Sequence, residues 1–154
     1  MNADEYAGLC RRAAACLGLD DEDGFDGGAV VEVRGVETQL IRHEMAGSAY
    51  LMFDVGSPMP DVAAEVHREL LELHCLFVGR FDGVFMRDPV NDGLVFSVRT
   101  PLHSRLTGDQ LAQWVTMMAE QVIQWRSTVL AGKMIDKVPA EPLAKASAAF
   151  AQRA

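Results

Sequence analysis

Along the chain the spacing of apolar residues changes several times, and each change marks an element. Over residues 3–18, Tyr6, Leu9, Cys10, Ala13, Cys16 and Leu17 recur three and four apart, the rhythm of a one-sided helix. Gly18 stands where that helix should stop. Much of the face is alanine, so it is shallow. The segment DDEDGFDGG at 20–28 follows as an acidic, glycine-rich turn. With Gly24 in the sixth position of a calcium loop, Leu19 would be first and Val30 twelfth, and neither ligates a hard cation. A solvated loop is the better reading.

The period then drops to two. AVVEVR (29–34) alternates Val31 and Val33 with Glu32 and Arg34, and Gly35 supplies a tight turn into VETQLIRH (36–43). EMAG (44–47) leads into SAYLMFDVG (48–56), where Ala49, Leu51, Phe53 and Val55 share one side. Turns this short join antiparallel neighbours, because parallel pairing needs longer crossovers. The other side of the third strand carries Tyr50 and Met52, so it is not fully polar; it forms an apolar binding surface or meets a second packing layer.

Ser57, Pro58, Met59 and Pro60 end the sheet and open a second helix, with the stripe Ala63, Val66, Leu70, Leu73 and Phe77. Leu70, Leu71, Leu73, Cys75, Leu76, Phe77 and Val78 leave its end almost without a polar face. A helix apolar most of the way round needs burial on two sides, and a second subunit is the simplest candidate for the second. FDGVFMRD (81–88) and GLVFSVR (93–99) read as two strands, with Asp92-Gly93 favouring the turn between them and Pro101 ending the pairing. The last helix has a T-x-x-Q capping box at Thr107 and Gln110 and a hydrophobic staple at Leu106 and Leu111. Leu111, Val115, Met118, Val122, Trp125 and Val129 then form an unbroken stripe ended by Gly132.

These elements make one α+β domain over residues 1–132: helix, three strands, helix, two strands, long helix, with an antiparallel twisted sheet packed by helices. Residues 133–154 follow as an alanine-rich C-terminal tail. A chain of 154 residues is long enough to bury a core without disulfides or metal. The formal charge of −8 repels phosphate backbones and anionic lipid, which argues against nucleic-acid binding. Cys10, Cys16 and Cys75 form no close pair. The N-terminus lacks the order of a signal peptide, and no apolar run approaches the roughly 20 residues of a bilayer span. The expectation is a cytoplasmic chain with reduced thiols and no membrane insertion.

Catalytic and metal motifs are missing from the sequence. His67 and His74 lie seven apart on one helical face rather than three or four, and no H-E-x-x-H occurs, so no metal site is expected. His74 and Cys75 are neighbours in sequence and point about 100° apart on a helix. There is no G-x-S-x-G, no phosphate-binding loop and no G-x-G-x-x-G. The chain reads as a non-enzyme without cofactor. Its methionines, among them Met52, Met86, Met117 and Met118, mostly fill core, although methionine also suits variable apolar partners.

The order of elements resembles the class I chaperones of bacterial type III secretion, the Tir-chaperone (CesT-like) family, over residues 3–132. The resemblance lies mainly in the helix exit LLELHCLFV, the strands GVFMRD and LVFSVR, the following TPL and the capped long helix. The segment AVVEVRGVETQLIRHEMAGSAYLMFDVGS also matches the family's first three strands in length and rhythm. The resemblance implies a cytoplasmic homodimer, acting in virulence, that binds the N-terminal chaperone-binding segment of a secreted effector. That segment stays extended, wraps around the dimer, adds a strand to a sheet edge and fills shallow grooves, which keeps it soluble and secretion-competent. Carried to this sequence, the effector-binding groove involves Leu9, Ala13, Leu17, Val31, Val33, Leu40, Ile41, Leu51 and Phe53. The dimer interface involves Val66, Leu70, Leu73, Phe77, Phe85 and Arg87.

Two other readings fit the same elements. One is a YbjN-type regulatory or protein-binding domain of similar fold. The other is a small ligand-binding α+β protein or enzyme.

Overall fold

A computed structural model describes residues 1–20, 25–43, 47–77 and 83–133, with the side chains of residues 76 and 77 excluded. The elements are α1 (Ala3–Leu17), β1 (Val30–Val33), β2 (Val36–His43), β3 (Ser48–Gly56), α2 (Ala63–Phe77), β4 (Gly83–Arg87), β5 (Leu94–Pro101) and α3 (Gly108–Thr128). This is the α+β order read from the sequence. The strands form one antiparallel sheet in the order β1-β2-β3-β5-β4.

Register fixes which side chains share a face. Leu40, Leu51 and Val98 lie side by side across β2, β3 and β5, and the next row is Thr38, Phe53 and Phe96. All six are buried and make the floor of the core. Helix α3 lies on this inner face with Leu111, Val115, Met118, Val122 and Val129 buried. Near its end the Trp125 ring meets Phe96 and Phe85 at centroid distances of 4.7 and 4.9 Å.

Local chemistry sets the joints. β1 and β2 are joined by Arg34-Gly35 alone, both at positive φ (55° and 76°), the mirror-image turn whose twist suits a two-residue hairpin. In the β4–β5 connection only Asp92 of the expected Asp92-Gly93 pair takes positive φ, at 60°. That connection is held instead by Asp88, whose carboxylate accepts from the Val90 N–H, and by Asn91, whose side chain accepts from the Gly93 N–H. Thr107 and Gln110 cap α3 reciprocally, at 3.3 and 3.1 Å. Asn2 and Glu5 do the same for α1, both at 2.8 Å.

Helix α1 seats on α3 through small residues. Ala13 and Ala14 are buried, whereas Cys16, expected on the apolar face, is exposed. A Cβ added to Gly108 would stand 2.4 Å from Arg12 Cβ and 2.8 Å from the Ala13 nitrogen, so only glycine permits this approach. At the other end of α3, the Arg126 guanidinium donates to the carbonyls of Val55, Gly35 and Asp54 at 3.2, 3.0 and 3.1 Å. Both ends of α3 are thereby fastened, one to a helix and one to the sheet.

Candidate functional site

The fold presents three surfaces with unmatched binding capacity among the described residues. The first is the outer edge of β1. That strand pairs only with β2, so the backbone groups on its other side have no strand partner. An open edge of this kind accepts an incoming extended chain. The opposite edge of the sheet differs. Its edge strand β4 directs the Phe85 N–H to His74 Nε2 of α2 at 2.9 Å, and the His74 ring stacks on Phe85 with centroids 6.1 Å apart. One edge is open and the other is partly closed by the chain itself.

The second surface is the outward side of α2. Val66 and Leu70 are buried by the chain's own core, while Leu71 is 70% exposed and Cys75 is exposed beside it. Arg68, three residues before Leu71, pairs with Glu65 and Glu72. Of the residues expected at a dimer seam, Val66 and Leu70 thus face inward and Leu73 and Phe85 are half-buried. Arg87 is exposed and paired with Asp92, and the side chain of Phe77 lies outside the described residues.

The third surface is the outer face of the sheet. It carries Val30, Ile41, Val84 and Met86, all exposed, with Tyr50, Met52 and Val95 half-buried among them. Only Ile41 of these belongs to the groove expected from the sequence. Leu9, Ala13, Val33, Leu40, Leu51 and Phe53 of that groove sit in the core, and Leu17 and Val31 are half-covered. The alternation of GVFMR already sets Val84 and Met86 opposite Phe85. Period two separates two faces without saying which one the helices take.

Burial and local hydrogen bonds shift several titratable groups. Burial pushes the Cys10 thiol up to about 11 and raises the neighbouring Tyr6 hydroxyl, so neither supplies a nucleophile. The Arg42 guanidinium stacks 4.9 Å from the Tyr6 ring centre. The Cys16 thiol donates to Asp109 at 2.9 Å, and that hydrogen bond to a carboxylate raises its pKa. Burial lowers the pKa of His74, keeping its ring neutral and its Nε2 an acceptor. Among the described residues no cluster of His, Cys, Asp or Glu is placed to hold a metal ion. No described helix is long and apolar enough to cross a membrane.

No family model and no curated protein sequence matches the chain. Among solved structures it is similar to a chain in the crystal structure of the ExsC–ExsE complex. The two share 16% identity at a TM-score of 0.62, over 82% of this chain and 95% of that one. The five-stranded antiparallel sheet with three helices is a type III secretion chaperone-like fold.

Proposed function

We propose that this protein is a bacterial type III secretion chaperone. It acts as a cytoplasmic homodimer that holds the N-terminal chaperone-binding segment of a secreted effector as an extended chain, soluble and competent for export. The observation that carries this reading is the fold match over 95% of a chain from a two-protein assembly, combined with the open edge of β1. Work of this kind is done by binding alone, and the raised pKa values of the Cys10 and Cys16 thiols are the opposite of what a catalytic nucleophile needs.

The client's first contact is a strand added beside Val30–Val33. Main-chain hydrogen bonds along that edge supply affinity for an extended segment, and neighbouring side-chain pockets supply selectivity. Half-covered Leu17 and Val31 offer the groove, while Ile41 lies on the opposite face of the sheet, away from it. Leu9, Ala13, Val33, Leu40, Leu51 and Phe53 act from below, by fixing α1 and the sheet in place. The homodimer seam is α2 with the adjoining β4, where Leu71, Leu73 and Phe85 present apolar surface and Arg87 lies at the rim.

The test is co-expression with the product of the neighbouring gene, followed by native mass spectrometry of the purified complex. Two copies of this chain with one client is the expected mass; a monomer that captures nothing overturns the reading. For the seam, Leu71→Asp is the sharper variant because Leu71 projects outward while Leu70 supports the core. It should yield a folded monomer by sedimentation, and an intact dimer would place the seam elsewhere.

A further inference from the structure

The outer face of the sheet has an ordered pattern that strand addition at β1 does not use. Read across the strands, its middle row is Val30, Gln39, Met52, Ser97 and Val84. Val30 is 59% and Val84 46% exposed, while Ser97 is buried between larger neighbours and leaves a dip in the row. On one side lie Ile41, Tyr50 and Arg99. On the other lie Glu32, Glu37, Asp54, Val95 and Met86. The face is therefore an apolar band with carboxylates along one flank and a single arginine at the opposite corner.

The carboxylate flank is unusual in its pairing. Glu32 and Glu37 stand directly opposite each other in the β1–β2 ladder, both exposed, and neither has an ion-pair partner among the described residues. Like charges so placed destabilise a strand pair. Among the described residues, Asp54 alone of the three acids in the row pairs with a cation, Arg126 at 3.7 Å. Residues 1–132 carry ten arginines, no lysine and twenty carboxylates, so the body of the chain has little positive charge to offer.

We propose that this face is a second docking surface, taking an amphipathic helix of the client whose apolar stripe is flanked by lysine or arginine. The inference rests on the chaperone reading and adds to it the chemistry of the partner. A segment lying on a sheet face cannot reach the backbone groups of the strands, so it must satisfy its own, as a helix does. Five strands at about 4.8 Å spacing span about 19 Å, the length of roughly 13 helical residues. Basic side chains over Glu32 and Glu37 relieve the like-charge pair. Arg99 at the far corner selects the helix direction, since charge patterning fixes orientation more than it adds affinity.

The test uses two fluorescent 14-residue peptides with the same leucine stripe, flanked by lysine in one and by glutamate in the other. Fluorescence anisotropy with the full chain should show the lysine peptide binding at least ten-fold more tightly. The double variant Ile41→Asn/Val84→Asn should weaken it ten-fold, with far-ultraviolet dichroism and thermal melting unchanged because both positions are exposed. Glu32→Lys/Glu37→Lys should reverse the preference between the peptides. Equal binding by the asparagine variant overturns the docking surface, because the attraction is then diffuse acidity. Loss of self-association in the asparagine variant, seen by sedimentation, also overturns it and gives the face to a second copy. With the natural client, the asparagine variant should still form the complex and release it at least ten-fold faster. Unchanged release overturns the inference alone. If the unmodified chain captures no client, the chaperone reading fails, even where the peptide preference stands.

Discussion

Along β4, Val84, Phe85 and Met86 are consecutive and similarly apolar, yet Phe85 packs against Phe96 and Trp125 while Val84 and Met86 remain 46% and 38% exposed. The same contrast runs through β3, where Leu51 and Phe53 are buried and Tyr50 and Met52 are half-open. Both faces of the sheet are apolar enough to bury, and the described helices cover only one. Apolar content therefore does not decide burial here; the placement of α3 does. A sheet with one covered apolar face and one uncovered apolar face is suited to holding something else.

The contrast is most sharply broken by core truncation. Phe96→Ala should cost about 3–5 kcal/mol, as expected for a buried phenylalanine at a ring cluster. Val84→Ala on the other face should fall within about 0.5 kcal/mol. Urea unfolding of both variants measures the difference, and comparable losses would show that the outer face is packed after all. Next comes the seat of α1. Gly108→Ala should destabilise by about 1–3 kcal/mol through overpacking against Arg12 and Ala13, with faster amide exchange concentrated in α1. Uniform exchange along the chain would mean that α1 is not held at this point.

Smaller effects belong to the cap and to the closed edge. Thr107→Ala should remove about 1 kcal/mol by orphaning an N–H at the start of α3. The pH dependence tests how β4 is covered. Because burial lowers the His74 pKa, the unfolded chain takes up that proton before the folded one as pH falls. Stability from this group is full above the ordinary histidine value of about 6.5 and declines below it, levelling off once the folded His74 is protonated. His74→Gln should flatten the stability profile between about pH 7 and pH 5. An unaltered slope would show that the Nε2 bond to the Phe85 N–H contributes little.

Much of the architecture is legible in residue order, because helix and strand periods are local. The Thr107 and Gln110 box, the turn at Gly35 and the α3 stripe all act within a few residues of themselves; that Arg34 leaves the strand to share the turn is added by the structure. The Asn2 and Glu5 box obeys the same rule and is readable in hindsight from N-x-x-E. Asp92-Gly93 misleads because the Asp88 and Asn91 side chains organise a longer connection, which leaves positive φ to Asp92 alone. The candidate site is less legible. Leu40, Leu51 and Phe53 look identical, as sequence, whether they line a groove or a core.

The sequence alone determines the elements, their order, the antiparallel pairing forced by short turns, and the two-sided alternation of each strand. Tertiary structure alone decides that Phe85 faces in and Val84 out, and that α2 closes one sheet edge while β1 keeps the other open; it also decides that Glu32 and Glu37, paired by their local hairpin, lie beside an apolar band. The physical reason is range. Hydrogen bonding and steric preference act over one turn of chain, whereas burial depends on which distant helix arrives on which face.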